Sequence, residues 1–404
     1  MTVRGTCDPR FELVHAAFER NFAARGEVGA SVCVTVDGET VVDLWGGTAD
    51  PATGRPWERD TIGVVWSCTK GATAFCAHML AGRGQLDLAA PVAQYWPEFA
   101  QGGKEAITVA MLLSHQAGLP AFREPIPDEG YCDWEFVVDR LAAEEPFWQP
   151  GTRNGYHALT FGHLIGEVVR RVSGQRIGEF FQTQVAEPLG LDFWMSLPAD
   201  LEDRVAPTIP ALPGPDDVLP SFYQAALTDP QSLAAMVLMH SGLALAPGWI
   251  DTRNAHAAEL PAFGGIANAR ALAGMYAPLA NGGGELVPAE QLSAMSAVVS
   301  ATARDATVLV PTRWSLGFVK SIDNRRQNPG DQDGVVLSED AFGHAGMGGS
   351  LGFCDPRARL SFGYTMNRQG LTVGLDERGQ SLVDAVYSTL DYRRPGRGGS
   401  WFPA

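Results

Sequence analysis

The sequence predicts a mixed α/β (α+β) fold, with an antiparallel sheet flanked by helices plus a mostly helical insertion. Three observations predict it. β-rich runs lie near the N-terminus, at Gly29 to Val36 and Thr40 to Trp45. Short β-like runs return late, at Arg313 to Lys320, Leu351 to Cys354 and Leu360 to Met366. Between these ends, from Ser67 to about Val172, the recurring pattern is helical. A sheet built from both ends of the chain accounts for this order. The expected division is residues 1–66 with 265–404 as the sheet-containing part and 67–264 as the helical part. A site between them is expected.

Each element has its own signal. Phe11 to Ala24 carries Leu13, Val14, Ala17, Phe18 and Phe22 at helical spacing. Asp37-Gly38 separates the first two β-rich runs, which is a strong hairpin signal. Ile62 to Val65 is a further β-like run. Ala72 to Ala81, Val109 to Leu113, Trp134 to Ala143 and Leu159 to Val172 read as helices. Pro207, Pro210, Pro213, Pro215 and Pro220 crowd one stretch and mark an irregular loop. Asp355-Pro356-Arg357-Ala358 reads as a turn, and Ser381 to Leu390 as a closing helix. The Gly/Pro/Arg-rich tail, Arg393 to Ala404, is expected to be mobile.

Composition narrows the function. The chain has 404 residues, with 30 Lys+Arg against 46 Asp+Glu and a formal net charge of -16. Phosphates repel such a surface, so nucleic acid and anionic membrane are poor partners. Hydrophobic residues at 45% and charged residues at 19% support a large core and exclude wholesale disorder. Six cysteines form no CxxC pair and no zinc-spaced Cys/His cluster. Free thiols in a reducing compartment are the plain reading. Met1 to Arg10 has no apolar signal-peptide core, and no run approaches ~20 apolar residues. A soluble cytoplasmic protein is therefore expected.

Three segments could carry chemistry. Trp66-Ser67-Cys68-Thr69-Lys70-Gly71 follows a β-like run and opens a helical one. Lys70 would then lie one turn beyond Ser67 on the same face. A serine hydroxyl needs a base to become nucleophilic, and a lysine serves if burial lowers its pKa. The plainer reading is an N-cap serine with an exposed lysine. Pro150-Gly151-Thr152 precedes Tyr156-His157-Ala158, and Tyr156 could share the proton with Lys70. A core tyrosine is the alternative. Phe342 to Ser350 holds His344-Ala345-Gly346-Met347 in a glycine-rich run, able to bring backbone N–H groups to a ligand or simply to turn.

Together, and in this order, the three segments resemble the serine β-lactamases and penicillin-binding proteins. Thr108 to Leu119 resembles the segment this family carries ahead of its tyrosine, and the Tyr156-His157-Ala158 motif resembles the esterase branch called family VIII carboxylesterases. The resemblance runs from about residue 10 to 390. It implies a β-lactamase-like fold and a carboxylesterase acting on short-acyl esters. Ser67 would be the nucleophile, with Lys70 and Tyr156 as the base system. The N–H groups of Ser67 and Met347 would hold the oxyanion, with His344 and Gly346 at the substrate. No metal or organic cofactor is implied. The partner would be a small-molecule ester, and self-association is left open.

The sequence also departs from the β-lactamase pattern. Class C β-lactamases carry asparagine where this chain has Ala158, and lysine where it has His344. The missing groups would contact a β-lactam's amide and carboxylate, so the departures favour an ester. A β-lactamase or D-amino-acid peptidase or amidase is the runner-up, and an acylatable sensor the non-enzymatic alternative.

Other candidates are weaker. Gly348-Gly349-Ser350-Leu351-Gly352 is a literal G-x-S-x-G, but none of the eight histidines follows Ser350, as the α/β-hydrolase order requires. Asp331-x-Asp333-Gly334 is faintly like a calcium loop, yet Pro329 occupies its first ligand position. Trp66 and Trp148 could line an acyl pocket or only pack. Cys68 is expected to pack.

Overall fold

The computed structural model describes residues 2–395 and 399–404. Seven strands form its main sheet, one of them the short Arg55–Pro56 at its side and six in line: β1 Arg4–Cys7, β2 Gly29–Val36, β3 Glu39–Asp50, β4 Phe342–Ala345, β5 Leu351–Asp355 and β6 Leu360–Met366. Their order across the sheet is β1-β3-β2-β6-β5-β4, and every pair is antiparallel. The two ends of the chain meet at β2 and β6, which is the arrangement expected from the sequence. At the first hairpin Asp37 and Gly38 both have positive φ, 53° and 85°. A two-residue hairpin turn of this hand needs that conformation, and Asp-Gly supplies it cheaply.

Five helices frame the sheet and the site: α1 Glu12–Ala24, α2 Thr69–Gly82, α3 Thr160–Ser173, α4 Ala269–Ala280 and α5 Glu377–Thr389. Side chains of β2 alternate between the two faces. Val32 and Val34 join Phe18 of α1 and Leu382 and Val386 of α5 in one core. Cys33 points the other way, onto Ala269 and Ala273 of α4. Both faces are thus covered, so β2 and β6 are buried along nearly their whole length, and their small polar residues pair with each other, Ser31 with Thr365 and Thr35 with Ser361. The largest core lies beyond α4 and joins α2, α3 and the helix Trp134–Ala143.

α5 begins at Glu377, four residues before the expected start, because the Asp376 carboxylate caps it by accepting from the N–H groups of Arg378 and Gly379. Arg378 reaches back under the sheet to Glu27 at 2.9 Å, and both side chains are buried. It also donates to the carbonyl of Gly348 at 3.1 Å. Arg378→Met strands the Glu27 carboxylate without its partner. It is expected to lower the unfolding free energy by about 3–5 kcal/mol. An unchanged urea midpoint would contradict this.

Two expectations are corrected, and one strand appears that no sequence signal announced. Arg313 to Lys320 is not one strand: only Thr312–Trp314 pairs as a strand, with Ser300–Thr302. The chain then turns at Ser315–Phe318, where the Gly317 N–H donates to the Leu113 carbonyl, before Val319 rejoins Gly343. Burial against α2 and the Val109–Leu113 helix overrides the β-like composition. The tail is not loose where it is described. Tyr392–Arg393 pairs with Phe402–Pro403, and Trp401 is buried against Tyr387. Residues 396–398 of that tail lie outside the described part. Finally β1 carries no alternating signal, and exists because the edge of β3 offers it hydrogen bonds.

Candidate active site

The strand Ile62–Val64 pairs with Ile266–Ala267 and with Val205–Ala206 in a small second sheet. This fixes the chain entering a 3-10 turn, Trp66–Cys68, which feeds α2. Ser67 therefore sits one turn before the α-helix proper, and Lys70 lies within its first turn. The two side chains meet, with Lys70 Nζ 3.0 Å from Ser67 Oγ. Trp66 has φ 48°, a left-handed conformation that an L side chain adopts only when its surroundings impose it.

Lys70 is fully buried and has no carboxylate partner among the described residues. Its other contacts are two carbonyl oxygens, of Ala158 at 2.7 Å and Ala262 at 2.8 Å. Burial pushes its pKa well below the usual lysine value. A neutral amine has two N–H bonds and one lone pair. The two carbonyls take both hydrogens, and the lone pair is left facing the Ser67 hydroxyl.

Tyr156 lies over this pair, with Lys70 Nζ 4.8 Å from its ring centre. Burial raises its pKa, and a hydrogen bond to Ser67 offsets this only in part, so the phenol stays protonated. The ring is stacked on Trp314 at 5.3 Å and 2°. The Tyr156 N–H donates to the buried carboxylate of Asp305 at 2.9 Å. His115 packs edge-on against Tyr156, and its Nδ1 accepts from the His157 N–H. Trp314 and Asp305 carry no motif in the sequence and were not legible there.

β4 delivers the third segment. A Cβ on Gly346 would fall 2.1 Å from Ser350 Oγ and 2.4 Å from the Val65 carbonyl oxygen. Its missing side chain lets β4 press against Val65–Trp66, beside Ser67. The N–H of Met347 finds no acceptor among the described residues. His344 is buried, and its Nδ1 sits 2.8 Å from the Ala345 carbonyl. A carbonyl only accepts, so Nδ1 carries the proton and Nε2 holds a lone pair. Burial pulls the His344 pKa down to about 3, aided by Lys70 nearby. The ring is therefore neutral and cannot serve as a cation.

The remaining candidates resolve simply. Ser350 is fully buried and donates to the Val65 carbonyl at 2.9 Å. Cys68 donates to the His344 carbonyl at 3.1 Å, so it ties the 3-10 turn to β4 as well as packing. Trp148 packs on Gly155 and His157. Asp331 accepts from the Ser221 hydroxyl and pins its loop to the helix Ser221–Thr228. Two mainly apolar cavities flank the site. One of about 90 Å³ is lined by Tyr156, Trp314 and His344, and one of about 360 Å³ by Trp66, Met347 and Tyr223.

A family model described as beta-lactamase matches residues 15–386. The chain is 37% identical over 380 residues to "Esterase/beta-lactamase LipL" of Mycobacterium tuberculosis, covering 91% of this chain and 83% of that one. It is similar to the crystal structure of a family VIII carboxylesterase, with a TM-score of 0.84 and 39% identity over 96% of this chain and all of the other. A penicillin-binding protein homologue from Caulobacter crescentus gives a TM-score of 0.82 and 35% identity, covering 96% of this chain and 100% of that one. With its sheet assembled from both chain ends and Ser67, Lys70 and Tyr156 gathered beside it, the chain belongs to the β-lactamase family of serine hydrolases.

Proposed function

We propose that this protein is a carboxylesterase that cleaves short-acyl esters through an acyl-enzyme on Ser67. The observation that carries the reading is the environment of Lys70: buried, with two carbonyls and one hydroxyl as its neighbours and no carboxylate. Lys70 accepts the Ser67 proton as Oγ attacks the ester carbonyl. The N–H groups of Ser67 and Met347 stabilise the oxyanion. Tyr156, a protonated phenol, passes its proton to the departing alcohol and takes in its place the proton that Lys70 had accepted, which returns the amine to its neutral form. Water then attacks the acyl-enzyme, giving its proton to Lys70, and that proton returns to Ser67 Oγ as the acid leaves. The site lies between the sheet-containing part, 1–66 and 265–404, and the helical part, 67–264.

His344 and Ala158 favour an ester over a β-lactam. A neutral imidazole carries no positive charge to attract a carboxylate, and a methyl group cannot hydrogen-bond an amide. Turnover of p-nitrophenyl butanoate is expected to exceed that of a chromogenic cephalosporin by at least about 100-fold in kcat/KM, from the loss of one neutral hydrogen bond and one charge-assisted contact. A preference for the cephalosporin would reject the reading in favour of a β-lactamase or amidase.

Among the described residues no helix is long and apolar enough to cross a membrane. All six cysteines are unpaired, which fits a reducing, cytoplasmic setting. The acidic surface fits a small-molecule partner rather than nucleic acid.

A further inference from the structure

Ser67 and Lys70 are held by helical turns, but Tyr156 is not. It lies in a stretch, residues 153–157, that is neither helix nor strand. Its neighbours lean on one residue: the Gly155 N–H donates to the His115 carbonyl at 3.1 Å, and the His157 N–H to His115 Nδ1 at 3.1 Å. The Tyr156 N–H itself donates to Asp305 Oδ1, 149 residues away in the chain. Asp305 is fully buried.

The Asp305 carboxylate gathers four donors. Oδ1 accepts from the N–H groups of Thr307 at 2.9 Å and Val308 at 3.1 Å as well as that of Tyr156. Oδ2 accepts from the Thr312 hydroxyl at 3.3 Å. An ionised carboxylate offers about four lone-pair sites, so this one is fully engaged. The bonds to Thr307 and Val308 close the turn that Asp305 itself begins. The other two reach further. One fixes the backbone that carries the phenol. The other fixes the strand Thr312–Trp314, whose Trp314 ring is stacked on that phenol. The same turn is docked a second time on the Tyr156 segment, where the Ala306 N–H donates to the Asn154 carbonyl at 2.9 Å.

We propose that Asp305 is a positioning residue for proton transfer, holding the Tyr156 phenol where it can protonate the departing alcohol. It acts through Tyr156 and Trp314, not on the substrate. This rests on the role given to Tyr156 above. A misplacement of about 1 Å at a reacting group costs on the order of 100-fold, so a clamp on an otherwise irregular segment has a large effect. The effect also depends on the leaving group. Ethanol departs only as the protonated alcohol, whereas p-nitrophenoxide departs as the anion. A displaced Tyr156 therefore slows an ethyl ester more than a p-nitrophenyl ester. Loss of folded enzyme slows both alike.

The test measures kcat/KM for ethyl butanoate and for p-nitrophenyl butanoate, which form the same acyl-enzyme, and takes the ratio of the first to the second. The parent is compared with Asp305→Ala, Asp305→Asn and Tyr156→Phe. The ratio is expected to fall at least about tenfold in Asp305→Ala, and as far or further in Tyr156→Phe. Asp305→Asn keeps an acceptor oxygen without its charge, and its ratio is expected to fall about threefold. A fall in Tyr156→Phe with an unchanged ratio in Asp305→Ala would overturn the proposal and leave the Tyr156 reading standing. An unchanged ratio in Tyr156→Phe would remove that reading and the proposal with it. Should Asp305→Ala not fold, the Asp305→Asn ratio decides, and no change there would overturn the proposal.

Discussion

Ser67→Ala is expected to lower kcat on a short nitrophenyl ester by about 10⁴-fold or more, the range seen when a nucleophile is removed from a serine hydrolase. The residue left behind keeps its N–H, so binding and some oxyanion stabilisation survive and a small residual rate is expected. Ser350→Ala is the matched control. Its hydroxyl is buried and committed to the Val65 carbonyl. Removing it takes one of two donors from that carbonyl, which keeps the Cys68 N–H at 3.1 Å, and is expected to cost about 1 kcal/mol of stability. Most of the esterase activity should remain. Activity lost in Ser350→Ala and retained in Ser67→Ala would reverse the assignment.

Lys70→Met is expected to lower kcat/KM by about 10³-fold, within the range of a general base. Methionine matches the length of the lysine stem but leaves the Ala158 and Ala262 carbonyls without their donor, so a stability loss of about 1–3 kcal/mol accompanies the loss of activity. The same lysine fixes the pH profile of the parent. Activity requires the neutral amine, so it is lost as pH falls through the lowered Lys70 pKa and is held above it. The groups facing Lys70 do not mask this limb. His157 and His344 are both pulled down to about 3 by burial, and His115 well below its usual value. Cys68 is pushed up to about 12 and Tyr156 also upward, again by burial. A single acid limb with a plateau through pH 9 is therefore expected. Activity still climbing between pH 9 and 11 would mean an ordinary, charged lysine and would remove the base from the mechanism.

Local signals carried much of the fold. The Asp37-Gly38 turn, the helix Trp134–Ala143 and the strand Leu360–Met366 lie where the sequence places them. These elements are specified by short-range chemistry: a left-handed turn, an N-cap at Asp133, a run of apolar residues. The failures have tertiary causes. Arg313 to Lys320 has strand composition, but packing against α2 forces a turn into it. The tail looks mobile by composition, yet Trp401 finds a slot against Tyr387.

By itself, the sequence determined which side chains could do chemistry and in what order: Ser67, three residues ahead of Lys70 on one helical face, then Tyr156, then His344 to Met347. Spacing along a helix is a local property, so that pair was readable. Only the tertiary structure decided that the amine's pKa is lowered, because that comes from burial among segments distant in sequence, those of Ala158 and Ala262 included. It alone brought Asp305 to the Tyr156 N–H and Trp314 to the Tyr156 ring. Those contacts join segments more than 100 residues apart, and no local pattern records a desolvation cost that arises only when the chain closes on itself.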